Sequence, residues 1–351
     1  MRVVVVGATG NVGTSLVDLL TVDPRVDSIV GVARRLPQKP NDRVEFVAAD
    51  IVRDDLVPTF HGADAVVHLA WVIQPSRNLN RLWVTNVVGS TRVFSAAAEA
   101  GVPALVYASS IGAYSPGPKD RAVGEDWPTD GIPTSFYSVH KVEVERRLDA
   151  FEREHPEVRV VRLRPALTFK HGAASGVRRL FAGPFLPSPL VRPGAIPVVP
   201  DIPGLRFQAV HSRDVAEAYR RALHSNARGA FNVAADPILD PAELARTFDA
   251  RRVKMPARLA RVAADATWRL RLQPTPPGWV DLALRCPLLD TTRARTELGW
   301  SPTRSATESL LELMEGVREG AGEETPPLDP DTSGPLRSQE LATGIGEREG
   351  A

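Results

Sequence analysis

The chain has 351 residues, 43 Lys and Arg against 42 Asp and Glu, and a net charge of +1. That length exceeds one average domain and buries a large core, and the balance gives no net field toward nucleic acid or an anionic membrane. The single cysteine, Cys286, excludes an intrachain disulfide. No run approaches the roughly 18 apolar residues of a spanning helix, so a cytoplasmic, enzyme-sized protein is expected.

The first element is a Val-rich strand, Val3–Gly7, that runs into Gly7-Ala8-Thr9-Gly10-Asn11-Val12-Gly13. Glycines let a backbone turn sharply and approach a pyrophosphate, and the N-terminus of the following helix, Asn11–Leu20, supplies N–H donors. The spacing is G-x-x-G-x-x-G, weak alone but strengthened by its place after the first strand. A second strand, Ser28–Ala33, ends at Arg34-Arg35 with no acid where NAD enzymes usually hold the ribose. A guanidinium there suits a 2′-phosphate, which favours NADP over NAD, unless both are ordinary surface residues of an Arg-rich chain. After the strand Val44–Ala48, Asp50-Ile51 is placed either to meet an adenine or to cap the helix Asp54–Phe60.

The alternation continues through strands Ala65–Leu69, Ala104–Ala108 and Val158–Leu163 and helices Leu79–Ala100 and Ser135–Arg153. The pattern predicts an α/β fold, a Rossmann-type doubly wound parallel sheet, with a smaller, mostly helical C-terminal substrate-binding part. Residues 1–165 form the dinucleotide-binding domain, with 207–235 returning to it. Residues 166–206 and 236–317 form the substrate-binding part, with 170–206 an irregular Pro- and Gly-rich lid. Ser212 is placed to cap the helix Arg213–His224, and Ala230–Ala234 is a further strand. The stripe Leu259, Val262, Ala263, Ala266 and Leu270, opposite Arg258, Arg261 and Arg269, predicts a core-facing helix rather than a membrane-binding one. The tail 318–351 has the composition of a disordered segment.

Tyr137 and Lys141 stand four apart on a predicted helix, hence on one face. A neighbouring ammonium favours the phenolate and tunes a tyrosine for proton transfer. With four Tyr and five Lys in the chain, chance gives such a pair roughly 6 times in 100. Context adds Ser109 and Ser110 at the carboxyl end of a strand, where open α/β sheets bind ligands, although turn chemistry also explains serines there. His68, His140 and His211 lack metal-ligand spacing, so no metal site is expected; His211 with Asp214 is placed to pin a strand-to-helix corner.

These pieces, with Val67-His68-Leu69-Ala70, Asn86-Val87-Val88-Gly89, Ala113-Tyr114, Arg162-Leu163-Arg164-Pro165, Val210–Ala216, Phe231–Ala234 and Arg295–Trp300, resemble the extended short-chain dehydrogenase/reductase family, also called the epimerase/dehydratase family. The resemblance covers about residues 2–316. It implies Tyr137 as acid–base, Lys141 on the nicotinamide ribose, Ser110 orienting substrate, and Asn86 holding a relay water behind the lysine. It further implies that Gly7, Thr9, Gly10, Asn11, Val12, Gly13, Arg34, Arg35, Asp50, Ile51, Leu69, Ala70, Pro165 and Ala166 line the cofactor. Ile111-Gly112 stands where the family's 4,6-dehydratases carry an Asp-Glu pair, so that elimination is not expected.

The expected function is an NAD(P)-dependent oxidoreductase acting at a carbonyl or alcohol carbon of a small apolar substrate. Trp71, Tyr114, Phe169, Phe181 and Phe185 are candidate pocket residues or plain core. The alternatives are a nucleotide-sugar epimerase that retains NAD and a dinucleotide-sensing protein without turnover. Neither a nucleic-acid nor a membrane partner is expected; helices Leu79–Ala100 and Ser135–Arg153 would form the surface of a homodimer, by the same resemblance.

Overall fold

Seven short strands, each rich in Val, Ile, Leu or Ala, form one parallel sheet in a computed structural model that describes residues 1–73 and 77–342. They are β1 (Arg2–Val6), β2 (Ser28–Ala33), β3 (Val44–Ala48), β4 (Ala65–His68), β5 (Ala104–Ala108), β6 (Arg159–Pro165) and β7 (Gly229–Val233). Their spatial order is β3-β2-β1-β4-β5-β6-β7, and every pairing is parallel. β1, β4 and β5 are buried on both faces, which is why they are nearly continuous apolar runs rather than alternating ones. The order reverses between β1 and β4, so the crevice at their carboxyl ends is the place where this architecture receives a ligand.

Helices cover both faces. On one side lie α1 (Asn11–Thr21) and α4 (Ser212–Leu223); on the other lie α2 (Gly89–Glu99) and α3 (Phe136–Glu154). The stretch before α2 is α-helical over Leu79–Trp83 and then widens to a π-helical turn over Val84–Val88, so the long predicted helix carries one extra residue in its middle. Gly89 lets α2 approach closely: a Cβ there would lie 2.7 Å from the Ile51 side chain.

Several expectations are corrected. The lid region contains a helix, Ala174–Phe181, and a strand, Val198–Asp201, that pairs with Arg251–Lys254. Within 207–235, β7 adds to the central sheet, while Phe207–His211 pairs with Leu167–Phe169 and Ala235–Leu239 in a three-stranded sheet. Ser212 does not cap α4. The His211 ring accepts from the Arg213 N–H instead, because the Ser212 hydroxyl is turned back to the Asn11 side chain at 2.6 Å.

The described part of the C-terminal segment is packed rather than disordered. After the helix Ala306–Glu319 the chain crosses the glycine loop, where the Thr325 hydroxyl donates to the Thr9 carbonyl at 2.9 Å. It then covers Arg178 and Arg179, which bond to Glu340 and Thr332. Polar composition misled here because buried arginines, not apolar residues, supply the partners. Residues 343–351 lie outside the described residues.

Candidate active site and dinucleotide cradle

Gly7 leaves β1 with φ +92 and its N–H donates to the Val32 carbonyl at 2.7 Å. A Cβ at Gly7 would lie 2.6 Å from the Ala70 backbone N, and one at Gly13 would lie 2.2 Å from the Gly7 carbonyl oxygen. These contacts are backbone on backbone, so only glycine brings the loop, the first turn of α1 and the end of β4 this close. Gly10 is the N-cap of α1, with no side chain capping the helix and no acid in its first turn. The N–H groups of that turn are therefore available to an anion, which fits a pyrophosphate.

The expected cofactor residues divide into two sets. Leu69 continues the β4 ladder to the Val6 carbonyl at 2.7 Å and, with Ala70, abuts the glycine loop. Arg34 and Arg35 are exposed at the end of β2, with no ion pair or hydrogen bond fixing either guanidinium among the described residues. The Asn11 side chain is turned away from the crevice: it donates to the Thr168 carbonyl at 3.1 Å and accepts from Ser212, so only its backbone faces the cradle. Half-buried Val12 packs on the core. Asp50 closes a local turn by accepting from the Val52 N–H at 2.9 Å, and the helix it was placed to cap begins only at Val57. Ile51 is buried beneath α2. Pro165 ends β6, and Ala166 bonds to the Val233 carbonyl and is buried.

Ser110, Tyr137 and Lys141 converge. Ser135 caps α3 by accepting from the Ser138 N–H, and this fixes the first turn, from which Tyr137 projects over Gly112. The Ser110 hydroxyl accepts from the Gly112 N–H at 3.0 Å and stands with the Tyr137 ring beside Gly112, where it favours the ionised phenol. One turn on, the Lys141 ammonium donates to the Ala108 carbonyl at 2.7 Å and lies 3.5 Å from the centroid of the Trp71 ring.

The electrostatics differ from the expectation. Burial pushes the Tyr137 phenol up to about 12, although the nearby Ser110 hydroxyl acts to lower it. Burial also drives the Lys141 ammonium well below its ordinary value, with Glu145 opposing. Desolvation outweighs the pair attraction in this closed site.

Glu145 extends the series Tyr137, Lys141, Glu145 along one face of α3. It is 2% exposed and held low mainly by Arg164, whose Nε donates to it at 2.8 Å against the cost of burial. Ser109 also donates to Glu145, so one carboxylate ties α3 to the ends of β5 and β6. Sequence reasoning passed over it, though its i, i+4, i+8 spacing was available.

Both ends of the Asn86 amide engage the Val72 backbone, at 2.8 and 2.9 Å, and so clamp the segment after β4. His68, buried against Ser90 at 2.8 Å, is pushed down to about 3 by burial. His140 packs on Trp83 and Phe136. His211 meets Glu312 at 3.1 Å, while Asp214 accepts from the Thr303 and Arg304 N–H groups, so both fasten the C-terminal helix. No metal-ligating cluster exists among the described residues.

Of the candidate pocket aromatics, Trp71 and Phe181 reach the site. Trp71 meets Tyr137 edge-on with centroids 6.0 Å apart, and Phe181 meets Trp279 at 5.3 Å. Tyr114 is core, its hydroxyl donating to Asn232 at 2.7 Å; Phe169 is buried in another cluster and Phe185 is exposed. The missed residue is Trp279, whose ring lies over Tyr137 at 5.2 Å. Gly278 permits it, since a Cβ there would be 2.2 Å from the Thr134 carbonyl oxygen. Phe136, Leu180 and Cys286 complete this apolar wall, and a cavity of about 230 Å³ lies beside it between Phe136, Trp268 and Trp279.

The model of the NAD dependent epimerase/dehydratase family matches residues 3–234. The chain belongs to that family. A UDP-glucose 4-epimerase of Mycolicibacterium smegmatis is 31% identical over 337 residues, covering 91% of this chain and 99% of that protein. An uncharacterised protein of Mycobacterium tuberculosis is 27% identical over 367 residues, 99% of this chain and 91% of its own. Among solved structures, the UDP-glucose 4-epimerase of Thermotoga maritima with UDP-glucose superposes with a TM-score of 0.68 at 21% identity, over 91% of this chain and 99% of that one. At that identity the likeness establishes the Rossmann-type fold of this family member. No helix among the described residues is long and apolar enough to cross a membrane.

Proposed function

We propose that this family member is an NAD(P)-dependent oxidoreductase acting at a carbonyl or alcohol carbon of a small apolar molecule. The observation that carries the reading is the Ser110–Tyr137 pair set in a wall of Trp71, Phe136, Phe181, Trp279 and Cys286. A bound nicotinamide would supply or accept the hydride. Tyr137 gives or takes the proton at the substrate oxygen, and Ser110 orients that oxygen by hydrogen bonding. Lys141, freed from the Ala108 carbonyl, is positioned to hold a ribose hydroxyl and to favour the phenolate. The aromatic wall excludes water, which strengthens each of these interactions. Arg34 and Arg35, exposed and without an ion pair among the described residues, support NADP as the preferred dinucleotide.

A second reading is favoured by the 31% identity to a UDP-glucose 4-epimerase: an epimerase that keeps its NAD through the cycle. One experiment separates the two. Purified protein is assayed for nicotinamide absorbance change with apolar ketones, aldehydes and alcohols, and separately for epimerisation of UDP-glucose. Net consumption of added cofactor is expected. Epimerisation without net consumption, by protein already loaded with NAD, would replace the first reading with the second.

A further inference from the structure

The helix Ala257–Arg269 was expected to face a core, yet none of its residues is buried. Leu259, Val262 and Leu270 are 54%, 61% and 69% exposed, and Leu272 just beyond is 51% exposed. With Ala266, the first three lie on one helical face, so the apolar stripe points outward. The opposite face carries half-buried Trp268, which lines the cavity beside Trp279.

Charge is concentrated on the same segment. Residues 251–272 contain seven Arg and Lys against one acid, Asp265, in a chain whose total is +1. Arg261 pairs with Asp281 and Arg269 with Asp265, both at 2.9 Å. Arg251, Lys254, Arg258 and Arg271 have no ion-pair partner among the described residues.

We propose that this helix seats the protein on the surface of an anionic lipid bilayer. The apolar stripe enters the boundary between headgroups and acyl chains, and the flanking arginines meet lipid phosphates. A second copy of the chain is a poor occupant, because a two-fold contact through this face would set one positive patch against another. Nucleic acid would satisfy the charges but leave the leucines in water. The inner face of the helix borders the cavity next to Trp279, so the seated protein holds that cavity close to the lipid. The seating stands independently of the reaction proposed above.

The full-length protein is mixed with vesicles of phosphatidylcholine alone or of phosphatidylcholine with phosphatidylglycerol, and bound protein is measured by flotation at low and high salt. Binding is expected only with phosphatidylglycerol, with release by salt. The variants L259E/V262E and R258E/R271E are expected to lower the partition coefficient at least about tenfold while keeping the wild-type melting temperature, since all four positions are exposed. Absence of binding to the anionic vesicles would overturn the proposal. So would binding that both variants retain, or a solution dimer that L259E/V262E dissociates.

Discussion

The indole of Trp279 lies against the phenol ring of Tyr137, centroids 5.2 Å apart and planes 31° from parallel. The residue that would move the proton is thus roofed by a side chain 142 positions away, and substrate must enter alongside that roof. Tyr137→Phe keeps the ring and its packing while deleting the hydroxyl. Turnover is expected to fall about 10²- to 10⁴-fold, with dinucleotide affinity by fluorescence titration unchanged. Wild-type turnover in that variant would remove Tyr137 from the mechanism.

All four tyrosines of the chain are held above the ordinary phenol value, chiefly by burial: Tyr114 and Tyr137 are pushed up to about 12, Tyr219 further, and Tyr107 well above its ordinary value. A phenol whose folded pKa is raised contributes stability that is complete below the unfolded value of 10.0 and declines as pH climbs from there toward the folded one. Absorbance titration of the native protein should therefore show almost no tyrosinate at pH 10, where the urea-unfolded chain is half ionised. A native titration centred at 10 would mean the tyrosines are solvated.

Arg34 and Arg35 stand exposed beyond β2. Replacing both by alanine is expected to weaken NADPH binding roughly tenfold to a hundredfold, the worth of a hydrogen bond to a charged group, and to leave NADH binding as it was. Equal losses for the two dinucleotides, or none, would detach these residues from a 2′-phosphate.

Arg178 and Glu340 are both buried, and an Arg178 Nη donates to Glu340 at 3.0 Å. Glu340→Ala leaves a buried guanidinium short of its carboxylate and should cost about 3–5 kcal/mol of unfolding free energy. The double variant R178M/E340L should recover part of it, as measured by urea melts. A single variant as stable as wild type would show that residues 320–342 do not pack on the body in solution.

The strand boundaries show how much was legible. Ser28–Ala33, Val44–Ala48 and Ala104–Ala108 are bounded in the structure as predicted. The first and last are almost wholly apolar and buried, because a strand covered on both faces stops where apolar side chains cease; Val44–Ala48 lies at the sheet edge with Glu45 exposed. The glycine loop was legible for a different reason: a Cβ at Gly13 would lie 2.2 Å from the Gly7 carbonyl oxygen, so the requirement is written as residue type. Ser212 was placed in the wrong role because a polar side chain has several possible partners nearby in space.

The amino-acid order alone therefore determined the sheet, the turn that faces the dinucleotide and the helix face joining Tyr137 to Lys141, since each depends on neighbours a few residues apart. Tertiary structure alone decided what roofs Tyr137, what pairs with Arg178, and that the stripe at Leu259 and Val262 looks outward. Periodicity states that a face is apolar; which surface meets it depends on segments brought together from far along the chain.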